Sequence, residues 1–210
     1  MGFNEDQALA LLRQKNLTAQ MVASLARNPD ALKSRRVLLA LVAHPTTPVH
    51  TAVPLLRRVF TFDLLQVVLT PTVASDIKRA AEEQLLQRME KLSSGERTTL
   101  AKRASGRVAA ALLVDADPRV VEPALDNSHL TEALLVQALM TRSAPEILFQ
   151  LTGAHRNWSQ RREVQMALLR SEKTPLARAR DLASHFSKGL LRETVPQARL
   201  LELSESGDED

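Results

Sequence analysis

Two stretches of thirteen residues align without a gap in this chain, and their shared pattern constrains the fold more than any other feature of the sequence. Residues 36–48 read RVLLALVAHPTTP, and residues 163–175 read EVQMALLRSEKTP. Both carry apolar residues at the i, i+3, i+4 and i+7 spacing of an amphipathic helix, whereas strict alternation of apolar and polar residues is rare along the chain. The pattern predicts short α-helices separated by turns that contain proline.

Weaker copies of the same phrase recur along the chain, at residues 107–118 and 138–145 among others. The prolines that mark the copies are Pro48, Pro71, Pro118, Pro145 and Pro175. Successive markers differ in residue number by 23, 47, 27 and 30, and the 47 fits two units of which one has lost its marker. A period in this range, with two short helices per unit, is typical of helical solenoids, in which each unit buries its apolar face against its neighbours.

The phrase that begins at Arg36, Arg-x-x-x-Ala-Leu-x-x-His-Pro-x-Thr-Pro, is followed by the aliphatic residues 52–56. It resembles the bacterial leucine-rich repeat variant family and, more loosely, HEAT and armadillo repeats, over roughly residues 18–186 but poorly around 60–105. The resemblance implies an all-α, right-handed α-solenoid of about ten to twelve short helices. One member type carries a cysteine-bound iron–sulfur cluster, which a chain without cysteine does not retain. We expect no other cofactor.

The predicted solenoid is one domain over residues 1–201, because no Gly/Ser-rich linker divides the chain. Residues 1–16 are the predicted N-terminal cap and 187–201 the C-terminal cap. Residues 202–210 contain five of the 24 acidic residues and no basic residue, so they are predicted to form a solvated, disordered tail. The other nineteen acidic residues stand against 28 basic ones, so the net charge of +4 divides into +9 for residues 1–201 and −5 for the tail.

Helix starts are predicted where a side chain can accept a hydrogen bond from the first free backbone amides. Thr47, Asp117 and Thr174 each precede a proline, an order that suits a helix N-cap followed by proline at the first helical position. The sequence Ser93-Ser-Gly-Glu96 predicts a capping box, in which the two ends satisfy each other's backbone amides.

Candidate metal ligands have better explanations as turn residues. Asp115-Ala-Asp117 begins like a calcium-binding loop, but Val120 stands where that loop requires glycine, so we interpret Asp117 as an N-cap. His44 and His50 lack the i, i+4 spacing that places two imidazoles on one helical face, and we expect His44 to bond the local backbone. We predict no metal site.

Catalytic motifs are missing from the sequence. The six glycines lie too far apart for a phosphate-binding loop, and neither a Gly-x-Ser-x-Gly nor a His-Glu-x-x-His motif occurs. The absence of cysteine removes thiolate chemistry and fits a reducing compartment. The chain is therefore predicted not to be an enzyme.

The candidate partner-binding residues are arginines in pairs and the single tryptophan: Arg35, Arg36, Arg57, Arg58, Trp158, Arg161 and Arg162. Two of these pairs precede equivalent Val-x-x-Ala-Leu helices, so a regular solenoid would align them as a basic ridge. The alternative is that each pair caps a helix or covers an outer face. Trp158 lies in a basic, polar turn, where packing between repeats is the alternative to a partner contact. We expect Phe60 and Phe62, beside Leu64 and Leu65, to be core residues.

Two functions fit these features. The first is a non-enzymatic scaffold that holds a protein partner, and the basic body favours an acidic one. The alternative is a solenoid that binds duplex DNA or RNA through its arginine-rich face and resembles HEAT-like alkylpurine DNA glycosylases only in fold. We expect a cytoplasmic protein with no membrane span, because the N-terminus is acidic where a secretory signal is basic and the longest apolar runs fall far below about 20 residues. The oligomeric state stays open.

Overall fold

The structure, a computed structural model, describes residues 4–14 and 16–204, and within them it is entirely helical. The all-α prediction is confirmed, but the fifteen α-helices exceed the predicted ten to twelve, partly because residues 60–105, where the repeat pattern is poor, still contain three helices. The α-helices are α1 (Glu5–Leu12), α2 (Ala19–Ala26), α3 (Arg35–Ala43), α4 (Val49–Leu56), α5 (Thr61–Leu69), α6 (Ser75–Arg88), α7 (Ser94–Arg103), α8 (Gly106–Leu112), α9 (Pro118–Leu125), α10 (Glu132–Leu139), α11 (Glu146–Ala154), α12 (Arg162–Arg170), α13 (Leu176–Ser184), α14 (Lys188–Thr194) and α15 (Gln197–Ser204). Single-turn 3-10 helices occupy Ala31–Lys33, Met89–Lys91 and Trp158–Gln160.

The helices form two compact units, unit 1 over Met1–Leu92 and unit 2 over Ser93–Asp210. Each unit has a core of aliphatic side chains from successive helices. Fully buried examples in unit 1 are Leu41, Leu56, Leu64, Ile77 and Leu85, and in unit 2 Leu100, Leu112, Leu135, Leu148, Phe149 and Leu168. None of the helices in the described residues is long and apolar enough to cross a bilayer. That residues 1–201 act as one domain stays a prediction.

The start of α9 and the start of α7 follow the predicted chemistry. Asp117 is the N-cap of α9, with Pro118 at the first helical position, and its carboxylate accepts a hydrogen bond from the backbone N–H of Arg119. Ser93 and Glu96 form the predicted capping box of α7. Both caps satisfy amides that have no partner inside their helix.

The two predicted threonine N-caps are wrong, although the residues are structurally important. Pro48 and Pro175 themselves take the N-cap positions of α4 and α13. Thr47 instead donates its hydroxyl hydrogen backwards to the carbonyl oxygen of Leu41 at 2.5 Å, and Thr174 does the same to Leu168 at 2.6 Å. Each threonine is buried and closes the turn behind it instead of capping the helix ahead.

The predicted boundary of the acidic tail is also wrong within the described residues. Helix α15 runs through Glu202 to Ser204, past the predicted end of the C-terminal cap. It is held to the preceding helices by Arg199, which is 4% exposed and donates to the carbonyl oxygen of Thr174 and to Glu202. The rest of the predicted tail, residues 205–210, lies outside the described residues.

Helix bounds in the two units match at one constant offset. Helix α3 begins at Arg35 and α12 at Arg162, an offset of 127 in residue number. The same offset relates the first residues of α1, α2 and α4 to those of α10, α11 and α13, and the 3-10 helix Ala31–Lys33 to Trp158–Gln160. The thirteen-residue phrases of the sequence share this offset, which we call the i, i+127 register. In each set the third helix packs against the first and the fourth, so the local arrangement is the same as well.

Burial follows the i, i+127 register. Twelve described positions that are buried in unit 1 are buried again at the equivalent position of unit 2. The pairs are Ala8 and Leu135, Leu12 and Leu139, Leu17 and Ala144, Val22 and Phe149, Ala26 and Gly153, Val37 and Val164, Leu41 and Leu168, Val42 and Leu169, Thr47 and Thr174, Ala52 and Ala179, Leu55 and Leu182, and Val68 and Val195. Seven of these twelve pairs are identical, so the two units share residue type as well as the helical frame at most of these positions.

Candidate partner-binding site

A polar cleft in unit 2 brings predicted site residues together. It has a volume of about 580 Å³ and lies between the turn that follows α9 and the turn that follows α11, so we call it the 126–161 cleft. Among its lining residues are Trp158 and Arg161, which the sequence singled out, with Asp126, His155 and Arg156 beside them.

The first wall of the cleft is the turn at residues 126–130, which a buried asparagine holds in place. Asn127 donates from Nδ2 to the carbonyl oxygens of Ala101 at 2.7 Å and Ala104 at 3.1 Å. Its Oδ1 accepts from the backbone N–H of His129 at 2.8 Å. Because one buried side chain ties this turn to the end of α7, the wall has a fixed position.

The second wall is the turn at residues 155–161, where His155 organises the backbone. Its Nδ1 accepts hydrogen bonds from the backbone N–H groups of Asn157 at 3.2 Å and Trp158 at 3.3 Å. With Nδ1 an acceptor, Nε2 carries the hydrogen that it donates to Asp126 Oδ1 at 3.1 Å, a bond that joins the two walls.

Trp158 is held at the same junction. Its indole N–H donates to the carbonyl oxygen of Leu125 at 2.7 Å, and its ring centre lies 6.3 Å from that of His155. The side chain is half-buried, so part of the ring faces the cleft. The predicted packing role is therefore present, and it leaves ring surface for a second contact.

The cleft is positively charged at its rim. Arg156 is exposed, and Arg161 keeps 60% of its side chain exposed while it makes a long 3.7 Å ion pair with Glu132. Arg162, the next residue, is exposed as well. Asp126 is the acidic residue of the lining and is already bonded to His155.

The predicted arginines of unit 1 are mostly engaged within the unit. Arg35 makes a two-bond ion pair with Asp63, at 2.7 and 2.9 Å, which raises the pKa of the guanidinium. Arg36 pairs with Glu5 at 3.2 Å. Arg58 donates to the carbonyl oxygen of Leu32 at 3.2 Å. The exposed side chain of Arg57 has no ion pair among the described residues.

Phe60 and Phe62 are not core residues, contrary to the prediction. Their side chains are 58% and 39% exposed. Phe60 immediately precedes α5, and the guanidinium carbon of Arg35 lies 4.7 Å from the centre of its ring. A cation–π contact with a surface arginine thus takes the place of burial.

Other basic side chains bind backbone carbonyls at the ends of neighbouring helices. Arg88 donates to the carbonyl oxygens of Leu56, Arg57 and Val59, at and just after the end of α4, and Lys173 donates to those of Arg142 and Ala144, in the turn between α10 and α11. Cations are favoured at these helix C-termini, where carbonyl groups are unpaired. Much of the basic character of the chain therefore has a structural use.

The arginine pairs do not align as pairs. In the i, i+127 register Arg35 corresponds to Arg162, while Arg36 corresponds to Glu163 and Ser34 to Arg161. Only one arginine of each pair therefore has an arginine at the equivalent position, and a ridge built from whole pairs is not in this register.

Two of the possible metal ligands, His44 and Asp117, are used internally. His44 accepts from the backbone N–H of Thr46 through Nδ1, as predicted. The pKa of Asp117 is held well below its usual range, first by the side chain of Arg119, then by the hydroxyl of Ser94 and by the backbone N–H of Arg119. Among the described residues, no group of three His, Asp or Glu side chains is placed to hold a metal ion.

The sequence indicated one wall of the cleft and missed the other. The run His155 to Arg162 stood out as a basic turn around a tryptophan, but nothing in the sequence connects it with Asp126 and Asn127, which lie about one repeat earlier. Comparison of the chain with protein-family models, curated proteins and solved structures gives no match.

Proposed function

We propose that this protein is a non-enzymatic helical-repeat scaffold, a right-handed α-solenoid of the leucine-rich repeat variant or HEAT-like type, which binds an acidic protein segment in the 126–161 cleft. The helix bounds that match in the i, i+127 register support the repeat. The lack of cysteine supports a cytoplasmic setting.

Polar contacts over about one repeat length also support the repeat. Among the described residues, six side chains bond the backbone of a residue 25 to 33 positions earlier in the chain. The contacts are Arg58 to Leu32, Arg88 to Val59, Asn127 to Ala101, Trp158 to Leu125, Lys173 to Arg142 and Arg199 to Thr174. A stack in which each unit touches the one before it produces such separations.

The observation that carries the binding proposal is the junction of an anchored tryptophan ring with two exposed arginines in one concave site. Tryptophan and arginine are the residues that most often dominate the binding energy of protein interfaces. Arg156 and Arg161 can each bind a carboxylate through two parallel hydrogen bonds, while the face of Trp158 packs against an apolar side chain. An acidic segment with an apolar residue fits this chemistry.

The duplex nucleic-acid alternative is less well supported. Binding along a phosphate backbone requires many free cations in a row. Three of the four predicted arginines of unit 1, Arg35, Arg36 and Arg58, already bind acidic side chains or carbonyl groups of the protein.

The single tryptophan provides the test. Because the chain has no tyrosine and no other tryptophan, its indole emission reports on the cleft alone. A glutamate-rich synthetic peptide with one leucine should change this emission saturably, and Arg156→Glu should weaken binding about tenfold, or roughly 1.4 kcal/mol. Arg161→Gln should act in the same direction without placing a carboxylate beside Glu132.

The matched control is Arg57→Glu, a charge reversal of equal size at an exposed arginine of unit 1. Equal weakening by Arg57→Glu would mean that only the net charge matters and would contradict a specific cleft. Salt-sensitive binding of duplex DNA that is lost with Arg35→Glu but kept with Arg156→Glu would favour the nucleic-acid alternative.

A further inference from the structure

A second groove, in unit 1, is open on one face of α2. It has a volume of about 540 Å³ and is lined by Leu11, Thr18, Gln20, Met21, Ser24, Leu25 and Asn28, and we call it the α2 groove. It lies in the other unit from the 126–161 cleft and does not depend on the function proposed for that cleft.

At the α2 groove, unit 1 is less buried than unit 2 at equivalent positions. Met21 is 46% exposed, whereas its counterpart Leu148 is completely buried. Leu25 is half-buried, whereas its counterpart Thr152 is completely buried. Leu11 and Ala138 differ in the same direction. Three groove positions that are apolar in unit 1 are thus less buried than their counterparts in unit 2.

Unit 2 has a helix, α9, that packs on this part of the unit. It packs on α11, the counterpart of α2, and its residues Leu125 and Asp126 border Leu151 and His155. The side chains that α9 buries form an aliphatic stripe of Val120, Val121, Ala124 and Leu125. Helix α2 packs mainly on α3 and on the 3-10 helix Ala31–Lys33, and no helix in the described part of unit 1 packs on α2 as extensively as α9 packs on α11.

The polar end of the groove repeats the contact that α9 makes. His155 accepts from backbone N–H groups two and three residues later and donates from Nε2 to Asp126, at the end of α9. Asn28, its counterpart, accepts through Oδ1 from Asp30 at 2.9 Å and Ala31 at 3.4 Å. Its Nδ2 group makes no hydrogen bond to the described residues and is free to donate as His155 does.

We infer that the α2 groove binds an amphipathic helix of a partner protein, one that carries an aliphatic stripe and ends in an acidic residue. The stripe covers Met21 and Leu25, and the acidic residue accepts a hydrogen bond from Nδ2 of Asn28. The packing of α9 on α11 in this same chain is an example of both contacts.

The probe is a fluorescently labelled synthetic peptide of residues 117–128 of this chain, which contains α9 and Asp126, titrated into the full chain. We expect saturable binding by fluorescence anisotropy. Met21→Glu and Ser24→Glu should each raise the Kd at least about tenfold, because both place a charge in an apolar contact. The matched control Val53→Glu, at a valine 37% exposed on α4, should change the Kd by less than about twofold.

Asn28→Asp separates the polar contact from the packing. It keeps the oxygen that accepts from Asp30 but replaces the donor with a charge that repels Asp126 of the peptide. The Kd should rise, and a peptide with Asp126→Asn should recover most of the loss. A cooperative thermal unfolding transition shows whether each variant is folded. If Met21→Glu is not folded, Met21→Gln is used in its place.

Three results would overturn the proposal. They are the absence of saturable binding, an unchanged Kd for both Met21→Glu and Ser24→Glu, and equal weakening by Val53→Glu. Sedimentation of the protein without peptide tests whether a second copy of the chain fills the groove. A dimer that Met21→Glu abolishes would mean that a second copy, and not a partner helix, binds there.

Discussion

Gly106 should be irreplaceable because it fixes the position of one wall of the 126–161 cleft. It is the first residue of α8 and is buried against the turn at residues 126–130. A Cβ atom at this position would overlap the backbone carbonyl oxygen of His129 and lie 3.0 Å from its carbonyl carbon and 3.1 Å from Cδ1 of Leu134. Because the obstacle is backbone, a side-chain rotation cannot relieve the overlap.

The cost follows from what must move. Either α8 or the turn must shift, and the turn is tied to the end of α7 by the two hydrogen bonds from Asn127. Overpacking of a buried site costs about 1–3 kcal/mol, and we expect Gly106→Ala to lie near 3 kcal/mol. For a unit of this size the unfolding midpoint should fall by about 10 °C.

The assay is thermal unfolding followed by Trp158 emission, which reports on unit 2. Gly95→Ala is the matched control, since Gly95 lies in α7 of the same unit and a Cβ atom there meets nothing within 4 Å. It should leave the midpoint unchanged or raise stability by up to about 1 kcal/mol, because alanine loses less conformational freedom on folding. A midpoint for Gly106→Ala equal to that of the wild type would refute the reasoning.

Two further predictions concern hydrogen bonds. The first concerns a bond that occurs in both units at equivalent positions of the i, i+127 register, and the second concerns the bonds at the start of α9. Thr47→Val and Thr174→Val should each lower the free energy of unfolding by about 1–2 kcal/mol in urea titrations, because each removes a buried hydroxyl donor, and a loss at only one of them would contradict their equivalence. Asp117→Asn should destabilise the protein at pH 7, and the destabilisation should become smaller as the pH falls below about 4. Folding lowers the pKa of this carboxyl, so its contribution to the free energy of unfolding is complete above the unfolded pKa and is lost as the carboxylate is protonated. A difference between wild type and Asp117→Asn that stays constant from pH 7 to pH 3 would contradict this.

The sequence predicts the helices well because their information is local. The 3.6-residue spacing of apolar side chains gives the helix class, and short-range pairs such as Ser93 with Glu96 mark helix starts. Thr47 shows the limit of such arguments, since its hydroxyl can accept from the amides ahead or donate to the carbonyl behind. The turn conformation decides between them, and residue type does not.

Only half of the candidate site could be predicted from the sequence, because its two walls come from turns that are distant in the chain. Trp158 and Arg161 lie in a turn whose composition is unusual, but the cleft exists only where the turn after α9 comes to lie against it. Phe60 failed as a core prediction for a related reason. The guanidinium that covers its ring belongs to Arg35, on another helix, and hydrophobicity alone carries no information about that neighbour.

The register also restricts how the two cores can change. The buried residues Val22 and Ala26 of α2 are equivalent to Phe149 and Gly153 of α11. Unit 2 therefore has a larger side chain at the first position and a smaller one at the second, a turn away. The sum of the two volumes is therefore kept more closely than either volume. Phe149→Val alone would leave a cavity, and Gly153→Ala alone would set a Cβ atom 3.3 Å from Cγ of Arg178. A stepwise path between the two arrangements therefore passes either through a core with a cavity or through one in which the side chain of Arg178 must shift to admit the new Cβ atom.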